Sequence, residues 1–304
     1  MIDIVEKTRH EWGESDRKRD ANFKTPDDIE RFDDISYGDH PEWNLLDVYR
    51  PKSEEGKRLP VIMIVHGGGW LYGDKGVYQY YAMSLAQQGF AVVNPSYRLS
   101  PEFKYPTQIE DICAVSRWIF ENEGKYGFDT ENLFAVGDSA GAHLTVVLSN
   151  LLVNPEFLEK MKKEYPQMSF EMPGHMRFNA VALNCGKYDI LVGNFIVDGW
   201  LQKKILAKGG TRAERKLTAA ADYVTGAFPP VFVMTAVGDE LKKNSQIIVD
   251  ALFKNGVPFC YRLYGTNDNP LHHVFHCNIA LEEAKKCNRD ECSFFRERIV
   301  NRHC

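Results

Sequence analysis

The sequence predicts an α/β fold in which a mostly parallel central sheet carries helices on both faces. Strand-like and helix-like segments alternate along most of the chain, the pattern of parallel strands joined by right-handed crossovers. Leu59 to Val65 is an almost unbroken apolar run, as a central strand covered on both sides requires. A chain of 304 residues can bury roughly 75% of its unfolded surface, so it needs no disulfide or structural metal to fold.

Taken in order, the first 40 or so residues mix both charge signs without an apolar period and read as a short helix plus a surface arm, here 1–44. Leu46 to Arg50 alternates like a half-exposed strand and stops at Pro51. The run Leu59–Val65 halts at Gly67-Gly68-Gly69. Tyr78–Gln88 is helix-like, Phe90–Asn94 strand-like and Ile109–Asn122 helix-like. Leu133–Val136 is a short strand and Ala140–Leu152 a helix. Phe178–Asn184, Val231–Val237 and Phe259–Leu263 are further strands, with helices at Ser245–Lys254 and Ile279–Lys286. Two stretches fit the alternation poorly, Asn154–Arg177 and about 188–220. The second holds Phe195, Ile196 and Trp200 and reads as a small cap insertion in an otherwise single domain spanning 1–304.

Composition excludes several classes of function. Lys and Arg total 37 against 42 Asp and Glu, a net charge of −5, which argues against a nucleic-acid partner. The apolar runs are far shorter than the ~20 residues that cross a bilayer, and the charged amino end lacks a signal-peptide core. Seven cysteines, an odd number with no C-x-x-C pair, read as reduced thiols. Together these predict a cytoplasmic protein without a membrane partner. Self-association is left open.

Chemistry concentrates at a few motifs. Gly137-Asp138-Ser139-Ala140-Gly141 has the form G-x-S-x-G, which chance supplies in about one chain in ten of this length. Here a strand precedes it and a helix follows, the setting in which a sharp turn lifts a serine hydroxyl above a sheet. His66-Gly67-Gly68-Gly69-Trp70 closes the earlier central strand. Consecutive glycines cost backbone entropy, and their use is to bring N–H groups close to a ligand atom. Gly68, Gly69 and Ala140 are therefore the expected donors of an oxyanion hole, with His66 bracing the loop.

A serine nucleophile needs a base, and the base an orienting carboxylate, in the chain order Ser, acid, His. Asp239 follows the strand Val231–Val237 and is the expected acid; Glu240 competes, and Asp222 more weakly. Three histidines cluster after the last strand. His273 is the expected base, with His276 second and His272 third; His143 reads as structural. Trp70, Tyr72 and Trp200 are candidates to line the substrate pocket. Cys277, Cys287, Cys292, Cys304 and His303 lie late in the chain, but none shows close metal-ligand spacing, so no metal is expected.

These motifs together resemble the hormone-sensitive-lipase-like branch of the α/β-hydrolase superfamily. The resemblance rests on HGGGW at 66–70, GDSAG at 137–141, GDEL at 238–241 and HHVF at 272–275. Tyr97-Arg98-Leu99-Ser100-Pro101-Glu102 is similar to that family's Y-R-L-A-P-E signature, and Pro106 and Asp111 extend the similarity. Leu46–Pro51 looks like the opening strand of acetylesterase and feruloyl-esterase-like members. The resemblance implies a cofactor-free serine esterase for short acyl esters, acetyl or aryl, plant cell-wall sugar esters among them. The alternatives are an amidase, peptidase or arylformamidase on the same triad, and a non-catalytic small-molecule receptor.

Overall fold

The computed structural model describes residues 3–190 and 202–300. Eight strands form one sheet: β1 (Ile29–Ser36), β2 (Leu45–Pro51), β3 (Leu59–Val65), β4 (Ala91–Pro95), β5 (Phe128–Asp138), β6 (Ala180–Asn184), β7 (Val231–Ala236) and β8 (Phe259–Tyr264). Their order is β1-β2-β4-β3-β5-β6-β7-β8. β1 and β2 enter antiparallel, and every pair from β4 onward is parallel. Val61, Ile62, Met63 and Val65 of β3 are fully buried; each such side chain contributes about 1.5–3 kcal/mol relative to exposure.

The helices include α1 (Ile4–Asp20), α2 (Lys75–Ala86), α3 (Thr107–Glu121), α4 (Glu123–Tyr126), α5 (Ala140–Val153), α6 (Pro155–Glu164), α7 (Arg212–Thr218), α8 (Ser245–Lys254) and α9 (Glu282–Arg296). Side-chain caps start several of them: Asp3 accepts from Val5 N–H, Asp74 from Val77 N–H and Asn154 from Phe157 N–H. α5 is different. Ser139 occupies its cap position, yet the hydroxyl makes no cap bond and is left for other work. Apolar clusters fill both faces of the sheet. The α/β expectation with helices on both sides therefore holds.

The amino-terminal arm is where the sequence reading needs correction. Residues 4–20 form a 17-residue helix, and 29–36 form an edge strand on β2. β1 reads Ile-Glu-Arg-Phe-Asp-Asp-Ile-Ser and is half solvated, so it lacks the apolar run that betrays an interior strand. α9 starts three residues later than expected and runs ten residues further, to Arg296. The stretch Asn154–Arg177 contains α6. In the expected cap, α7 is described, whereas Phe195, Ile196 and Trp200 lie outside the described residues.

Candidate active site

Because β3 and β5 are neighbours in register, Val65 opposite Gly137, the loops that leave them emerge side by side. Those loops are the glycine loop 66–70 and the turn at Ser139. Asp239 follows β7, and His273 follows β8, so every expected group stands at the carboxyl end of a strand.

Ser139 adopts φ 50° and ψ −116°, a strained conformation for a residue with a side chain. Neighbours hold it there. Its N–H donates to Asn184 O at 3.0 Å, and α5 packs so tightly under β3 that a Cβ on Gly141 would lie 1.9 Å from Val65 O. The Ser139 hydroxyl lies 3.0 Å from His273 Nε2, and His273 Nδ1 lies 2.9 Å from Asp239 Oδ1. A carboxylate only accepts, so the proton sits on Nδ1 and leaves Nε2 free to accept from the serine. Asp239 Oδ1 also accepts the Leu241 N–H at 2.8 Å, and Oδ2 accepts the Thr235 hydroxyl at 2.7 Å.

Electrostatics follow from this packing. Burial opposes ionisation of Asp239, but the bonds from His273, Thr235 and Leu241 outweigh it and hold the carboxyl below its ordinary range. Burial likewise pulls the His273 imidazole down, while the bond to Asp239 and its charge push harder and leave it above its ordinary value.

Gly68, Gly69 and Ala140 line the same cleft as Ser139 and His273. None of their N–H groups has an acceptor among the described residues. Gly68 sits at φ 108°, and a Cβ there would fall 1.9 Å from Tyr72 O, so no other residue fits. His66 is fully buried and stacks on Tyr97 at 3.9 Å, with Nδ1 2.7 Å from Gly67 O. Burial depresses its pKa to about 4, so it is a neutral brace. His143 is buried too, with Nε2 2.9 Å from Thr218 O. The remaining candidates separate cleanly. His276 packs edge-on against Tyr81 in the core, His272 is exposed, and Asp222 is exposed on the turn Ala220–Tyr223. Glu240 lines the cleft while Asp239 holds the histidine.

The cleft encloses about 390 Å³. Trp70 and Tyr72 form part of its wall; Trp200 lies outside the described residues. The roof was not foreseen. Trp12, Ser15, Asp16 and Arg19 of α1 line the cleft. Their spacing of i, i+3, i+4, i+7 marks one helical face, but a face of Trp, Ser, Asp and Arg gives no apolar period to detect. Trp12 stacks edge-on against Tyr72 at 5.9 Å, and the Tyr72 hydroxyl donates to Asp16 at 2.7 Å. Arg9 fastens the helix. Its guanidinium grips both Glu102 oxygens at 2.7 Å and the carbonyls of Leu71 and Ser100 at 2.7 and 2.9 Å. Glu102 belongs to the Tyr97–Glu102 motif, whose Arg98 is in turn held by Asp111.

A strained serine, a hydrogen-bonded imidazole and carboxylate, and open amides at the strand ends of such a sheet define an α/β-hydrolase. The chain belongs to the BD-FAE family, whose model matches residues 46–250. Esterase LipC of Mycobacterium tuberculosis is 34% identical over 158 residues, covering 51% of this chain and 36% of its own. Versiconal hemiacetal acetate esterase of Dothistroma septosporum is 28% identical over 219 residues, covering 69% and 66%. The chain thus spans between about a third and two thirds of the length of these curated relatives. Esterase B of Lactobacillus rhamnosis superposes with a TM-score of 0.85 at 26% identity, covering 97% of this chain and 94% of that one.

Proposed function

We propose that this protein is a serine carboxylic-ester hydrolase acting on short acyl esters through an acyl-enzyme. The observation that carries this is the continuous hydrogen-bond path Ser139–His273–Asp239 at the floor of a cleft lined by Gly68, Gly69 and Ala140. His273 accepts the serine proton as the hydroxyl attacks the ester carbonyl, and Asp239 stabilises the imidazolium that forms. The N–H groups of Gly68, Gly69 and Ala140 receive the oxyanion. His273 then returns the proton to the departing alcohol, and water repeats the sequence on the acyl group. The esterases among the relatives and superposed structures support this reading.

The cleft volume suits a small acyl group, and the aromatic walls Trp12, Trp70 and Tyr72 suit acetyl or aryl esters. Stoichiometric labelling by a fluorophosphonate, lost in Ser139→Ala together with nitrophenyl acetate turnover, is the expected result. A Ser139→Ala variant with wild-type turnover overturns the proposal, and absence of labelling in the wild type favours a receptor.

One relative favours a second reading. Arylacetamide deacetylase of Bos taurus is 28% identical over 179 residues, covering 55% of this chain and 42% of its own. Amide and ester cleavage share the tetrahedral intermediate, so matched acetyl ester and acetanilide substrates separate them.

A further inference from the structure

Asp138, the residue before the serine in the G-x-S-x-G turn, takes no part in the proton path described above. It is nevertheless buried and lines the cleft. Its partner comes from α2. The Tyr78 hydroxyl donates to Asp138 Oδ2 at 2.8 Å, and the same hydroxyl oxygen accepts the Gly67 N–H at 2.9 Å. Tyr78 is itself buried, at 6% exposure, while lining the cleft. The three groups are close enough that a Cβ on Gly67 would lie 2.6 Å from Asp138 Oδ2 and 3.0 Å from the Tyr78 oxygen.

The peptides of the glycine loop are pinned one after another. Tyr97 donates to His66 O at 2.7 Å, while Tyr78 accepts from Gly67 N–H, so both ends of the His66–Gly67 peptide are held. In the next peptide, His66 Nδ1 holds Gly67 O. A peptide is planar and trans, so fixing Gly67 O fixes the direction of the Gly68 N–H. The phenol carries one proton and acceptor lone pairs, so the Tyr78 hydroxyl donates to Asp138 and accepts from Gly67 at once, tying the two loops together.

We propose that Tyr78 and Asp138 are positioning residues for the oxyanion hole, coupling the serine turn to the glycine loop so that the Gly68 N–H is held ready for the oxyanion. The proposal rests on the esterase reading above. Burial raises the Asp138 carboxyl to about 6, with the bond from Tyr78 working against that rise.

The test uses the full chain with nitrophenyl acetate, alongside a trifluoromethyl ketone whose tetrahedral adduct places an oxyanion in the hole. Tyr78→Phe keeps the ring and removes both bonds. It is expected to lower kcat roughly 10- to 100-fold with KM within about threefold, and to weaken the ketone by the same factor. Asp138→Ala is expected to match it, Asp138→Asn, which retains an acceptor oxygen, to recover most of the activity, and the double variant Tyr78→Phe/Asp138→Ala to be no worse than either single one. Wild-type kcat in Tyr78→Phe overturns the proposal, as does a loss of kcat without parallel loss of ketone affinity, or additive losses in the double variant. Should Tyr78→Phe fail to fold, the Asp138 pair decides by the same readouts. The esterase reading fails separately, through Ser139→Ala.

Discussion

The floor and the roof of the cleft are built on opposite principles. The floor consists of strand ends, glycines such as Gly68 and Gly141 with no space for a Cβ, and hydrogen bonds between neighbouring loops. The roof is one polar helix clasped by long side chains, chiefly Arg9 on Glu102 and two carbonyls. Backbone sterics constrain the floor, whereas long, partly solvated side chains hold the roof. The floor should therefore govern the chemical step, and the roof should govern which substrates reach it.

Ser139→Ala is the largest expected break, lowering kcat by more than about 10³-fold while the melting temperature barely moves; turnover of nitrophenyl acetate beside a thermal melt checks both halves. Next comes Gly68→Ala. The added Cβ meets Tyr72 O in a left-handed backbone, so kcat should fall about 10²–10³-fold, with stability lost as well. If Gly68→Ala folded and turned over normally, the steric account of the floor would be wrong.

Arg9→Ala tests the roof. It removes the clasp, so KM for aryl esters should rise several-fold while kcat for nitrophenyl acetate changes less than about threefold. The Arg9–Glu102 pair is partly exposed, at 28% and 44% of their side-chain surfaces, and an ion pair of that kind contributes only about 1 kcal/mol or less. A kcat loss as large as that of Gly68→Ala would erase the distinction between roof and floor.

Two pH experiments sharpen the comparison further. Under the proposed mechanism His273 must be neutral to act as base, and Asp239 raises its pKa, so kcat/KM should fall on acidification with a midpoint above the ordinary imidazole value of about 6.5. A midpoint below 6 would contradict the arrangement. The smaller effect concerns stability. Glu291 on α9 is buried, accepts from Tyr81 at 2.8 Å and Asn184 at 2.7 Å, and is raised by burial to about 7. Its folded pKa exceeds its unfolded one, so its contribution is complete below the unfolded pKa and declines as pH rises to about 7. The stability difference between wild type and Glu291→Gln should shift by roughly 3 kcal/mol across that window, read by urea denaturation at pH 4.5 and 7.5.

What the sequence revealed follows the same division. β3 and α8 were legible to the residue, because an apolar run and an apolar period leave a direct imprint. That Ser139, Asp239 and His273 would meet was legible because loop motifs at strand ends are short and specific; their hydrogen-bonded contact is what the structure adds. β1 and α1 were not. A half-solvated edge strand pairs only with β2 among the described residues, and a charged helix makes its contacts through Arg9 to Glu102 and Asp16 to Tyr72, partners tens of residues away in the chain. His273 could be chosen from three neighbouring histidines only by its order and setting; burial of His276 against Tyr81 is a tertiary fact.

The Arg9 clasp has an implication for how such a protein diversifies. The first helix meets the body through a handful of detachable contacts and leaves the reacting groups to others. Lineages, or protein engineers, could therefore exchange this one segment to re-tailor the doorway, leaving the machinery beneath it inherited whole.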